Sequence, residues 1–279
     1  MPVKSWLCAS ALNPKLIRKA LEVSADVVLF DLEDSVPTEK KDCARAALCG
    51  YFEQPVRTAT AIRINSPDTV AGLKDLLCLV EREIAPDILL VPKALLPGSV
   101  EIVASLLKER GMERTQIFAI IETVESLWTL RTLSDMPNGL RGLIFGAADF
   151  AADMGVPPNV TDQRFAKQEI ALAARRFGVT AIDSPCFHIQ DQARLDLEAR
   201  DARDLGFAGK IAIHPLQVST INRLFTPSTQ ALADARKLVD ACERCPGDSI
   251  LRVDDGMVGP PFLKYARQVL SSNKPAGRR

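Results

Sequence analysis

The sequence predicts a (β/α)8 barrel. Eight short apolar or β-branched runs alternate with longer amphipathic stretches, and this alternation repeats over about 225 of the 279 residues. The runs are Trp6 to Ala9, Val27 to Asp31, Ala59 to Ile64, Asp87 to Val91, Gln116 to Ile121, Gly142 to Phe145, Thr180 to Asp183 and Lys210 to Ile213. Helical patterns lie near Pro14 to Val23, Thr38 to Phe52, Asp68 to Glu83, Ser99 to Arg110, Ser126 to Leu133, Thr161 to Phe177, Asp191 to Leu205 and Val218 to Phe225. A doubly wound open sheet is the rival, but eight units in this length suit closure better.

The punctuation agrees with the pattern. Asn13-Pro14, Pro37-Thr38 and Thr161-Asp162 each offer a polar cap or a proline at a helix start. Ser24-Ala25-Asp26, Gly178-Val179-Thr180 and Gly206-Phe207-Ala208-Gly209 are short connections that return a helix to the sheet. Beyond Phe225 the alternation stops, with breaks at Cys245-Pro246-Gly247-Asp248 and Pro260-Pro261. The expected organisation is a catalytic barrel over 1–225 and a helical extension over 226–279. Some fifty residues are too few for a core of their own, so the extension is expected to pack on the barrel or on a neighbouring subunit.

Composition narrows the function classes. Lys and Arg number 35, as do Asp and Glu, so no net field draws the protein to nucleic acid. The longest apolar runs fall well short of the roughly 18 residues that span a bilayer, and the first residues do not form a secretion signal, so a cytoplasmic protein is expected. Seven cysteines, mostly among apolar neighbours, point to reduced thiols rather than disulfides. Cys242 and Cys245 have CxxC spacing without a second pair or a nearby histidine, which gives no metal site.

Barrel sites form where strands end. Those ends carry Asp31-Leu32-Glu33-Asp34, Arg63-Ile64-Asn65, Pro92-Lys93, Glu122-Thr123, Ala148-Asp149, Asp183-Ser184 and His214-Pro215. Carboxylates gathered on one rim repel one another and need a cation, and oxygen-only donors favour Mg²⁺. Glu122 and Asp149, on adjacent strands, are the best ligand pair. They leave positions for water and a 2-oxo or 2-hydroxy carboxylate, and Arg63 offers a fork for a carboxylate or enolate oxygen. Such a set suits carbon–carbon bond chemistry through an enolate.

The segments Val28-Leu29-Phe30-Asp31-Leu32-Glu33-Asp34, Arg63-Ile64-Asn65-Ser66-Pro67, Val91-Pro92-Lys93, Ile121-Glu122-Thr123, Phe145-Gly146-Ala147-Ala148-Asp149-Phe150 and Ala212-Ile213-His214-Pro215 occur in an order that resembles the citrate lyase β-subunit family. That family belongs with the HpcH/HpaI aldolases and the malyl-CoA and citramalyl-CoA lyases. The resemblance implies a (β/α)8 barrel, a homotrimer or hexamer, and Mg²⁺-dependent chemistry on an acyl-CoA. It implies that Glu122 and Asp149 hold the metal and that Arg63 binds substrate oxygens. Lys93 is taken with the substrate-binding rim, and Lys15 and Lys19 match basic residues that meet CoA phosphates.

Two departures stand out. Ala148 replaces a carboxylate, and Gly259 stands where related lyases carry an acid/base aspartate in a segment resembling Val253-Asp254-Asp255-Gly256-Met257-Val258. The proton carrier must then be Glu33 or Asp34 on the rim, Asp254 or Asp255 in the tail, or a metal-bound water. The leading expectation is cleavage of a 3-hydroxyacyl-CoA, citramalyl-CoA or a malyl or citryl analogue, to acetyl-CoA and a 2-oxo acid. Thioester hydrolysis of the malyl-CoA kind, or a subunit acting only with citrate-lyase-like partners, are the alternatives. His188 and His214 are the only histidines, and His214 alone follows a strand end.

Overall fold

The computed structural model describes residues 3–53, 58–158, 163–244, 250–253 and 256–272. The chain separates into two compact units, one spanning Val3–Arg223 and one running from Leu224 into the C-terminal helices. In the first, eight parallel strands pair in chain order and close: β1 (Ser5–Ser10), β2 (Val27–Asp31), β3 (Ala59–Arg63), β4 (Ile88–Val91), β5 (Gln116–Ile121), β6 (Leu140–Phe145), β7 (Thr180–Asp183) and β8 (Gly209–Ala212), which returns to β1. Helices α1 (Pro14–Glu22), α2 (Lys41–Phe52), α3 (Val70–Glu81), α4 (Gly98–Glu109), α5 (Val124–Thr132), α6 (Ala147–Asp153), α7 (Arg164–Phe177), α8 (Gln192–Leu205) and α9 (Pro215–Leu224) follow the strands. This is the (β/α)8 barrel that the alternation predicts.

Local chemistry sets the element ends. The Asn13 side chain accepts from the Lys15 and Leu16 amides with Pro14 in the first turn, and Gly178 and Gly206 close α7 and α8 at φ of 68° and 103°. Thr38, expected to open a helix, begins a short 3₁₀ turn instead, and the α-helix starts at Lys41. Thr161 and Asp162 lie outside the described residues. Helix α6 was not expected. Its seven residues are too few to show a helical period, and four of them are alanine.

The barrel interior is filled by every second residue. Trp6, Val27, Leu29, Ala61, Ile88, Leu90, Phe118, Ile120, Ile144, Ile182 and Ile211 form one buried cluster. The Trp6 and Phe118 rings lie 5.2 Å apart, and Phe118 occupies the space a side chain at Gly142 would need, 2.0 Å from an ideal Cβ. The intervening residues face the helices. Lys210 and Asp183 belong to that outward set. Fully buried, they pair at 2.6 Å, and Lys167 of α7 completes a triad 3.0 Å from the other Asp183 oxygen. Burial alone would push Asp183 up, but the two ammonium groups hold it below the usual carboxylate range.

In the second unit, α10 (Thr229–Arg244) packs on α11 (Pro260–Ser272), and β9 (Leu251–Val253) pairs antiparallel with β10 (Gly256–Val258). Cys242 is half-buried and free; Cys245, Asp254 and Asp255 lie outside the described residues. Among the described residues no helix is long and apolar enough to cross a membrane.

Replacing Asp183 by Ala leaves Lys210 charged and buried with only the longer contact to Glu198 Oε2, 3.5 Å, in place of the 2.6 Å pair. Urea unfolding is expected to show a loss of about 3–5 kcal/mol. A loss below about 1 kcal/mol would show that the triad does not hold the outer wall to α7.

Candidate active site

The alternation that fills the barrel also decides which strand ends reach its mouth. Continued one step past the core, the inward set Leu29, Ala61 and Ile120 becomes Asp31, Arg63 and Glu122. These three, with Cys8, Asp34, Ser35, Gly146, Ala147, Ala148, Asp149, Pro185 and Phe187, line a cavity of about 360 Å³ whose floor is Leu29, Leu90, Ile120, Ile144 and Ile211. The cavity is therefore apolar at its base and charged at its rim.

Arg63 is engaged before any ligand arrives. Its Nε and one Nη donate to the two Asp31 oxygens at 2.7 and 2.9 Å, a bidentate pair. The other Nη lies 2.9 Å from Glu33 Oε2 and 3.4 Å from Asp34 Oδ2. Burial works against ionising Asp31, yet the adjacent guanidinium keeps it below the ordinary range. The arginine fork expected for substrate is thus anchored by Asp31, and the Nη shared with Glu33 and Asp34 is the part turned to the rim.

Glu122 is almost fully enclosed, 1% exposed. Its amide donates to Ser126 Oγ at 3.0 Å inside a capping box in which Thr123 begins α5. Its Oε1 accepts the Lys93 amide at 2.8 Å, and Lys93 adopts φ 49°, the left-handed region. Its Oε2 sits where a side chain at Gly146 would be, 2.5 Å from an ideal Cβ, so only glycine fits. Burial, then the Glu33 charge, raise the Glu122 carboxyl to about 8, with Asp149 adding to the push. Lys93 bridges the cluster, with Nζ 2.7 Å from Glu33 Oε1 and 3.9 Å from Glu122 Oε1. Burial would lower Lys93, but the Glu33 contact outweighs it and lifts the ammonium above its usual value.

The predicted residues do not all converge. Arg63, Asp34, Glu122 and Asp149 line the cavity; Glu33 lies buried behind it, tied to Arg63 and Lys93. Lys15 and Lys19 are exposed on α1 and do not line it. Asp183, expected on the rim, faces the helices instead because it has the wrong parity. His214 accepts the Leu216 amide through Nδ1 at 3.2 Å and so caps α9 rather than lining the site. Asp149 was expected to follow its strand directly; it sits in the first turn of α6, which aims it back at the cavity.

Several participants were missed. Cys8 lines the cavity beside Asp31, and burial followed by that charge pushes its thiol up to about 12. Lys41 Nζ donates to the carbonyls of Leu32 and Glu33 at 2.8 and 2.6 Å and pins the loop that carries both rim carboxylates. Gly146 was readable as the inward residue opposite Glu122 on the next strand.

Residues 4–215 match the family model described as HpcH/HpaI aldolase/citrate lyase. The chain belongs to this family. Among relatives of the HpcH/HpaI fold, a (3S)-malyl-CoA thioesterase of Cereibacter sphaeroides is 30% identical, covering 97% of this chain and 94% of that protein. A mitochondrial citramalyl-CoA lyase of Rattus norvegicus is 28% identical, covering 97% and 86%. The crystal structure of CitE from Mycobacterium tuberculosis with magnesium, acetoacetate and coenzyme A superposes with a TM-score of 0.82 at 30% identity, covering 96% of this chain and 97% of that one.

The geometry of this HpcH/HpaI-family site suits a hard cation. A carboxyl raised to about 8 among other carboxylates is short of positive charge, and Asp149 lines the same cavity. Among the described residues no three acidic, histidine or cysteine side chains form a complete cage. Two carboxylates with the remaining positions left to water and substrate match the habit of Mg²⁺.

Without added divalent cation, Glu122 should make stability depend on pH. Its folded value lies above the ordinary 4.5, so its contribution is fully present below pH 4.5 and is lost as pH rises through about 8. Urea midpoints across that window are expected to fall, by up to about 1.4 kcal/mol per pH unit, and Glu122→Gln should flatten the fall. An unchanged slope in the variant would place the strain elsewhere.

Proposed function

We propose that this protein is a Mg²⁺-dependent carbon–carbon lyase that splits a 3-hydroxyacyl-CoA, with citramalyl-CoA the foremost substrate and malyl- or citryl-CoA the analogues, into acetyl-CoA and a 2-oxo acid. The observation that carries this reading is the convergence of Arg63, Asp34, Glu122 and Asp149 on one small cavity with an apolar floor. Names borne by relatives, a citramalyl-CoA lyase and a malyl-CoA thioesterase, support an acyl-CoA as substrate.

In this reading Glu122 and Asp149 hold Mg²⁺. When bound there, the ion supplies Lewis acidity to the oxygens of a 2-hydroxy or 2-oxo carboxylate. The remaining work falls to the chain. Asp34 lines the cavity with its carboxylate largely exposed and takes the hydroxyl proton. As the carbon–carbon bond breaks, its electron pair passes to the thioester, and the rim-facing Nη of Arg63 stabilises the enolate oxygen. Asp34 then gives that proton to the enolate carbon, which yields the acetyl thioester and restores the carboxylate. Glu33 and Lys93 keep Arg63 and the Glu122 backbone contact in place, so their parts are positioning ones. Asp31 fixes the plane of the guanidinium. Lys15 and Lys19, exposed on α1, are assigned to the CoA phosphates outside the cavity. A homotrimer or hexamer, with the extension over 226–279 packed on a neighbouring subunit, and a cytoplasmic location complete the proposal.

The name of the thioesterase relative and Gly259 in place of an acid/base aspartate favour hydrolysis as a second reading. One assay separates the two. Purified protein with Mg²⁺ is given malyl-, citramalyl- and citryl-CoA, and acetyl-CoA, free CoA and 2-oxo acid are measured separately. Acetyl-CoA and 2-oxo acid in equal amounts are expected; free CoA without 2-oxo acid would decide for hydrolysis, and no turnover would favour a partner-dependent subunit.

Arg63→Ala is expected to lower kcat by about 10²- to 10³-fold, the usual cost of an oxyanion-stabilising donor. Asp34→Asn should lower kcat by about 10²-fold or more with little change in KM. Full turnover in either variant would contradict the role given to that residue.

A further inference from the structure

We propose that Cys49 and Cys78 are a reversible thiol–disulfide site that takes a peroxide as oxidant. The two thiols, on α2 and α3, lie with their sulfurs 3.9 Å apart, 29 residues from one another in sequence. Both are half-buried and free. A disulfide needs the sulfurs to close to about 2.05 Å, so the approach required is about 2 Å, within reach of side-chain rotation. Cys49 lines a cavity of about 380 Å³ with Phe52, Arg82, Ile84 and Ala85, which opens its sulfur to a small oxidant.

The surroundings favour pairing over further oxidation. In the reduced protein the Cys49 thiol donates to the Arg45 carbonyl at 3.3 Å and faces Cys78 on its other side. Burial, then the neighbouring sulfur, raise Cys78 to about 11. Cys49, not Cys78, lines the cavity by which a small oxidant arrives, so Cys49 is the sulfur to react first and Cys78 the one to resolve. The Cys49 thiolate attacks one peroxide oxygen, the O–O bond breaks, and with hydrogen peroxide one water leaves as Cys49 becomes a sulfenic acid. Cys78 then gives up its proton and attacks the Cys49 sulfur, forming S–S and expelling hydroxide as a second water. Two thiols are oxidised by two electrons and one peroxide is reduced to two waters. A dithiol reverses the step by exchange.

The pair lies directly behind the rim. Arg45, one turn before Cys49, bonds Asp75 at 2.6 Å and also Asp42, and Asp75 lies one turn before Cys78. Asp75 in turn accepts the Asn65 amide at 2.8 Å and its side chain at 2.6 Å, and Asn65 Nδ2 reaches the Leu32 carbonyl in the loop before Glu33 and Asp34. A bond between the two sulfurs therefore clamps α2 to α3 at the ion network that holds the β2 and β3 loops.

The test is peptide mapping of the full-length protein after brief exposure to hydrogen peroxide, rapid alkylation and trypsin without reductant. The expected result is one peptide pair, Ala46–Arg57 joined to Asp75–Arg82, two hydrogens lighter than the separate peptides and released by dithiothreitol. In Cys78→Ser the joined pair should vanish, and a sulfenic acid at Cys49 should be trapped by dimedone. Exposed Cys43, on its own tryptic peptide, reports that the oxidant acted. Oxidised Cys43 in the wild-type sample beside free Cys49 and Cys78 would overturn the proposal, as would joining of either cysteine to a different partner. The wild-type map decides even where a serine variant folds poorly.

Discussion

A carboxyl kept almost dry beside other carboxylates is the constraint around which this barrel mouth is built. Glu122 could have been solvated, as most glutamates are. Instead Gly146 gives up its side chain so that Oε2 can lie against β6, and Lys93 adopts a left-handed backbone that aims its amide at Oε1. Ser126 and Thr123 fix the start of the next helix at the same point. Several unfavourable local choices thus agree on one geometry, which is the pattern expected of a binding site rather than of a stability element.

Charge around the mouth is only partly balanced. Arg63 satisfies Asp31 and shares one nitrogen between Glu33 and Asp34, while Lys93 serves Glu33 and stands farther from Glu122. The deficit is left on the Glu122 and Asp149 wall. In the proposed reading that division separates two tasks: a preorganised cationic donor on one side, and an oxygen pair for a cation on the other. Because the guanidinium is held by Asp31 on one edge, it need not reorganise when negative charge develops on a ligand.

Much of this was legible in the sequence. Eight alternating runs sufficed for the barrel, since a parallel sheet covered on both faces leaves continuous apolar strands. Arg63 and Glu122 follow such runs, and both line the one cavity. What escaped was direction. Asp183 ends a strand just as Asp31 does, yet it points to the helices, where Lys167 and Lys210 neutralise it. Counting in twos from Ile182 would have excluded it, and counting from Trp6 would have included Cys8. The position of Asp149 depended on a seven-residue helix too short to leave a period, and Lys41 acts through backbone carbonyls, a role with no sequence signature.

The barrel mouth is best tested by calorimetric titration of Mg²⁺ at pH 7 in buffers of different ionisation enthalpy. Below about 8 Glu122 carries a proton that a cation must displace, so binding should release close to one proton, about one per site. In Glu122→Gln, both the release and the affinity should be lost. Tight Mg²⁺ binding with the same proton release in the variant would contradict the assignment of the buried carboxyl as the cation's seat.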